Sequence, residues 1–84
     1  MYIRLKILTK DRVGMVLDIL KILYKYGVNL KALEVGPGLI CIKMDSNFQV
    51  SFPYLLEQLR VQRDVIEVSQ VKLLPQEKRE KHIR

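Results

Sequence analysis

The stretch LTKDRVGMVLDIL, residues 8–20, changes period in its middle and divides the chain. Before it, Ile3, Leu5 and Ile7 alternate with Tyr2, Arg4 and Lys6. A two-residue period is that of a strand with one buried face. After it, Val13, Val16, Leu17, Leu20, Leu23 and Tyr24 recur at helical spacing, with Asp18, Lys21 and Lys25 opposite. The turn between them, Thr9-Lys10-Asp11-Arg12-Val13-Gly14, puts a glycine where the helix begins. Glycine lets backbone approach a ligand with no Cβ in the way. A helix start also gathers unpaired N–H groups and the positive end of the helix dipole, which suits a carboxylate.

Working outward, Gly27 supplies a left-handed cap that ends the helix near Tyr26. VNLKALEV, residues 28–35, reads as a strand with Val28, Leu30 and Ala32 on one face. GPG at 36–38 is turn chemistry, and LICIKM at 39–44 is the other arm of an antiparallel hairpin. After the loop DSNFQ, Ser51 is an N-cap and Pro53 falls in a first helical turn. Phe52, Leu55, Leu56 and Leu59 give that helix its buried stripe. DVIEVSQVKLL, residues 64–74, reads as a long last strand stopped by Pro75. The order strand, helix, strand, strand, helix, strand predicts an α+β fold. It is the ferredoxin-like βαββαβ sandwich, a four-stranded antiparallel sheet with both helices on one face.

At 84 residues and 49% hydrophobic, the chain builds one small two-layer core, so self-association is expected to add stability. Leu33 and Val35 fall outside the first alternation of VNLKALEV, as in a strand facing helices on one side and a second copy on the other. A homodimer is therefore predicted. No apolar run approaches the ~20 residues of a membrane span, and the N-terminus lacks the basic-then-apolar order of a signal peptide. The lone Cys41 excludes an internal disulfide and suits a reducing compartment. These features predict a cytoplasmic protein with no membrane partner.

The net charge of +6 raises nucleic acid as a partner, but the charges are scattered, as on a solvated surface. PQEKREKHIR, residues 75–84, holds four Lys/Arg against two Glu. Pro75 suits a helix start, and Glu77–Lys81 and Glu80–Arg84 are i,i+4 pairs. With only Ile83 to bury, this segment is expected to be a charged helical linker leading from a domain of residues 1–74 into a further domain.

Catalytic and metal chemistry find no footing. His82 in the tail and Cys41 in a strand form no ligand cluster and no preorganised nucleophile pair, and no glycine-rich phosphate loop is present. The expectation is a non-enzyme with no cofactor. RNA recognition uses the same topology but stacks bases on aromatics of the central strands. Only Tyr2 is available, and LICIKM has none. Arg4, Lys6 and Lys43 offer an exposed basic face for weak phosphate contact, which leaves an RNA or single-stranded DNA module as the alternative.

One more polar residue bears on ligand binding. Asn29, in YGVNL just past the first helix, carries an amide that both donates and accepts, as an amino acid's ammonium and carboxylate require. TKDRVGMVLDILKILYKYGVNLKALEV resembles the ACT domain, a small-ligand regulatory module of ferredoxin-like fold. The shared pattern is a D-R-x-G turn, an amphipathic helix, then G-V/I-N/D-I/L opening the second strand, and the resemblance spans residues 1–74. It implies an amino acid held between two copies, with Asp11, Arg12, Val13, Gly14, Met15 and Asn29 as contacts. Placed at the N-terminus and followed by LLPQEKREKHIR, the domain looks most like that of TyrR-type bacterial transcriptional regulators, which respond to aromatic amino acids. Asn29 stands where some members of that group carry an acidic residue. The small regulatory subunits of branched-chain amino-acid synthesis are also similar. The resemblance implies allosteric regulation, with DNA contacted only through other domains.

Overall fold

The N-terminal alternation forms β1, Tyr2–Thr9, in the interior of the sheet. The remaining elements of the computed structural model, which describes residues 1–75 and residue 77, are α1 (Met15–Lys25), β2 (Leu30–Gly36), β3 (Leu39–Asp45), α2 (Phe52–Arg60) and β4 (Val65–Gln70). The four strands lie in the order β2-β3-β1-β4 with every neighbour antiparallel. This is the ferredoxin-like sandwich that the order of periods predicts.

Residues paired across antiparallel strands share a face. Leu5 opposite Ile42, and Ile7 between Ile40 and Val68, form the inner face of the sheet. The core joins them to Met15, Ile19 and Leu23 of α1 and to Leu55 and Leu59 of α2. α1 ends and α2 begins on recognisable chemistry. Val28 N–H donates to Leu23 and Gly27 N–H to Tyr24, with Gly27 at φ 72, which is a Schellman cap. The Ser51 hydroxyl accepts from Tyr54 N–H at 3.4 Å, and Pro53 sits in the first turn of α2.

The structure corrects three local readings. The buried stripe of α1 is Met15, Ile19 and Leu23, whereas Val13 is 98% exposed, Tyr24 87% and Leu17 55%. The helix is apolar over more than half its circumference, so two overlapping stripes satisfy the same spacing. In the observed rotation Asp18 faces Arg12, which also bonds Asp64 just before β4. In β2, a bulge between Leu30 and Ala32 switches the alternation. Leu30 pairs with Met44 on the inner face and Ala32 with Lys43 on the outer one, so the two do not share a face. Leu33 and Val35 return to the inner side, opposite Ile42 and Ile40, at the uncovered edge of the sheet.

The last strand ends at Gln70 rather than at Leu74. Val71 N–H still donates to Arg4 at 2.9 Å, after which the chain bends onto the outer face of the sheet. Leu74 is buried there, and its N–H donates to Glu77 Oε1 at 2.9 Å. Glu77 in turn takes Arg4 in a two-bond fork at 2.7 and 3.0 Å and Lys43 at 3.4 Å. We call this segment the strap. Pro75 and Glu77 are helical, while the pairs Glu77–Lys81 and Glu80–Arg84 involve positions outside the described residues.

Two outcomes follow from this packing. Ile19→Ala removes a fully buried side chain and is expected to cost about 2–5 kcal/mol in urea unfolding of dilute protein. Leu17→Ala, on the exposed flank, is expected to stay within about 0.5 kcal/mol. For the strap, the Arg4 hydrogen bonds first, then the Leu74 N–H, hold the Glu77 carboxyl down from 4.5 to about 2. A depressed carboxylate contributes fully above its free pKa, and that contribution is lost as pH falls through the docked value. The Leu74 amide resonance is therefore expected to move toward its undocked position between pH 4.5 and about 2. Glu77→Ala should show that position at neutral pH.

Candidate functional site

The loop between β1 and α1 is clamped on two sides. Thr9 N–H donates to Gly38 of the β2–β3 turn at 3.0 Å, and Lys10 N–H donates to the Asp64 carbonyl at 2.9 Å. Asp64, just before β4, stands at φ 69, a left-handed backbone that few residues other than glycine adopt. The third tie is Arg12. Its Nε bonds the Asp64 carboxylate, and its Nη2 reaches Asp18 at 2.8 Å and the Arg63 carbonyl at 3.3 Å. Hydrogen bonds to Asp18, then to Asp64, raise the guanidinium above its ordinary pKa. Arg12 is thus engaged within the chain and holds the loop's shape.

Gly14 occupies the N-cap of α1 at φ 86 and ψ −3. Its carbonyl accepts from Asp18 N–H at 2.9 Å, while Met15 N–H donates to Arg12 at 3.3 Å. No side chain caps this helix, so neither Asp11 nor Arg12 takes that role. Among the described residues, the N–H groups of Gly14, Val16 and Leu17 have no acceptor. Such orphan donors at a helix start are the groups an anion satisfies. A Cβ on Gly14 would meet only Arg12 Nη1, at 3.8 Å, so the left-handed backbone rather than crowding demands glycine.

The six residues singled out in the sequence do not all come together in one chain. Asp11 and Val13 are exposed on the loop beside Gly14. Met15 points into the core. Asn29 is exposed, and its carbonyl accepts Asp45 N–H at 2.9 Å. Its amide has no partner among the described residues. The eleven residues of α1 separate Asn29 from the loop by about 16 Å at 1.5 Å per residue. The two halves therefore lie at opposite ends of the sheet. Asp18 and Asp64, which shape the loop, were not read from the sequence. The Arg12–Asp64 pair spans 52 positions, and no local pattern announces it.

Beside the loop runs an apolar flank. Asp18 and the Tyr26 ring, which meets Tyr54 edge-on with centroids 5.7 Å apart, mark the side of α1 that faces α2 and its turn. Val13, Leu17 and Tyr24 lie off that side and are exposed, as are Leu33 and Val35 on the edge strand β2. The outer face of the sheet looks different. Arg4 and Lys43 pair with Glu77, and Lys43 Nζ also lies 4.6 Å from the Tyr2 ring centroid. Arg4, Lys43 and Tyr2, three of the groups nucleic acid would use there, are thus engaged, while Lys6 is exposed. Among the described residues, no cluster of His, Cys, Asp or Glu could hold a metal ion, and no helix is long and apolar enough to cross a membrane.

Arg12→Met removes the side-chain clamp but leaves the core intact. It is expected to speed exchange of the Lys10 amide, whose acceptor is Asp64, while the Leu5 and Ile42 amides keep their protection. Hydrogen exchange followed by NMR reads both at once. Equal protection of Lys10 in the variant would mean that the backbone alone holds the loop.

No protein-family model matches this chain, and no curated protein does. Solved structures do. The crystal structure of the ACT domain from GTP pyrophosphokinase of Chlorobium tepidum is similar at a TM-score of 0.66 and 18% identity, over 83% of this chain and 96% of that one. The solution NMR structure of the same domain gives 0.64 and 20%, over 88% of this chain and 89% of that one. At such identities the likeness is one of architecture: this chain has the fold of an ACT domain.

Proposed function

We propose that the chain is a regulatory domain that senses a small amino acid between two of its own copies. The observation that carries this reading is the uncapped start of α1, where a left-handed Gly14 and unaccepted N–H groups sit in a loop braced by Arg12 and Asp64. In this reading the ligand carboxylate takes those N–H groups, and Asp11 and Val13 border it. Arg12 acts by holding the loop, and Met15 by anchoring the helix start from within the core.

Asn29 then belongs to the other half of the site. Antiparallel pairing of two β2 edges about a two-fold axis sets the start of one strand against the end of the other. Asn29 of the second copy is thereby carried to the end of the sheet that holds the first copy's loop. The same pairing covers Leu33, Val35 and the α1 flank of Val13, Leu17 and Tyr24, which gives the exposed apolar groups a role. The ligand, an aromatic amino acid in the TyrR-type reading, would complete a site that neither copy holds alone. Its occupancy would be passed to an attached transcriptional effector that contacts DNA, in the cytoplasm. The ACT fold of the GTP pyrophosphokinase domain supports a regulatory module and favours this reading over a nucleic-acid platform.

Calorimetry with phenylalanine and tyrosine, combined with urea unfolding, tests the site. Asn29→Ala is expected to lose one or two hydrogen bonds to charged groups, about 1.5–3 kcal/mol each, or roughly ten- to a hundredfold in affinity. Its unfolding midpoint should not move. Gly14→Asn keeps a residue tolerant of the left-handed backbone but adds a Cβ, so it should retain α1 and lose ligand affinity. Leu17→Asp should shift sedimentation from dimer to monomer and abolish binding with it. Full ligand affinity in a monomeric Leu17→Asp variant would sink the shared site.

A further inference from the structure

The strap does not lie flush on the sheet. Between it and the outer face is a cavity of about 460 Å³, within the range of small-molecule pockets. Leu39, Val71 and Leu74 contribute apolar wall, and Cys41 lines it from β3. Among the described residues, the charged ones that line it are Lys6 and Lys72, with no carboxylate. Neither ammonium makes an ion pair among the described residues, since Glu77 is taken by Arg4 and Lys43. Glu34, across from Cys41 on β2, already has a partner of its own. The cavity faces away from both helices, and none of Asp11, Arg12, Val13, Gly14 or Asn29 lines it.

We infer that this cavity is a second small-molecule site, for a carboxylate with an apolar body and no α-ammonium group. The chemistry of the lining selects that class. Apolar wall takes the hydrocarbon part, and two lysines offer charge-assisted hydrogen bonds to a carboxylate. An amino acid's ammonium would find no lining acceptor of opposite charge and would sit beside two like charges, so the zwitterion is rejected. The loop site proposed above has the opposite preference. Because Leu74 is both a wall of the cavity and part of the strap, an occupant also touches the segment that leaves the sheet. Binding here therefore biases the docked strap by mass action.

The experiment compares three molecules of one shape on the full chain: 3-phenylpropanoate, 3-phenylpropanamide and phenylalanine. Amide NMR titration is expected to show saturable shifts of Lys6, Cys41, Val71 and Leu74 with 3-phenylpropanoate, and none at Asp11–Gly14 or Asn29. The amide and the amino acid should bind this cavity at least about tenfold more weakly, the effect of losing one charge-assisted hydrogen bond. Lys6→Met, at an exposed position, should bring the carboxylate level with the amide, and Lys72→Met provides the same reading from the strap side. Equal affinity for all three molecules, or 3-phenylpropanoate shifts confined to the β1–α1 loop, would overturn the assignment, as would no saturation at all. Phenylalanine shifts at the loop report on the first site and leave this one to its own amides.

Discussion

One guanidinium holds three separate parts of this chain in register. Arg12 leaves the β1–α1 loop, takes Asp18 from the first turn of α1 and takes Asp64 from the turn before β4. Each contact is solvent-accessible enough that its worth lies in geometry more than in stability. The cluster accompanies one rotation of α1, in which Asp18 faces Arg12 and Met15, Ile19 and Leu23 enter the core. Val13, Leu17 and Tyr24 are left exposed. The shape of the loop thus depends on one side chain that reaches three separate parts of the chain.

The two ends of the sheet also differ in how their polar groups are used. At one end the chain spends its hydrogen bonds on bracing a short loop: Gly38, Asp64 and Arg12 all serve it, and the helix start it leads into remains uncapped. At the other end, among the described residues, Asn29 uses only its backbone, receiving Asp45 N–H. A rigid donor surface and an uncommitted amide are complementary pieces, and α1 keeps them apart within a copy. In the proposed reading, antiparallel pairing of two β2 edges would bring such pieces together and couple assembly to ligand recognition.

What could be read in advance was whatever depends on near neighbours in sequence. The switch of period at residues 8–20, the Gly27 cap and the Ser51 cap are each written within a few positions, and the fold followed from their order. Gly14 was legible for the same reason, because a glycine at a helix start is a local signal. The rest depends on distant partners. Nothing near Asp64 declares that it will hold Arg12, and nothing in VNLKALEV declares a bulge after Leu30, which arises from its fit to β3. Val71–Leu74 carries strand-like residues, yet Leu74 finds an apolar surface on the far face of the sheet and Glu77 finds two cations there. Burial elsewhere in the fold outweighed local propensity.

The same detour gives the molecule an internal gauge. Cys41 is the chain's single thiol, it is almost wholly buried, and it lines the cavity that Leu74 helps close. Burial first, and the nearby Glu34 second, push its pKa up, so that the thiol is poorly nucleophilic while the strap is docked. An alkylating reagent is then expected to react slowly while the strap is docked and faster whenever it lifts. The rate of a simple chemical reaction at one sulfur becomes a measure of a conformational equilibrium, with no label added and no residue changed.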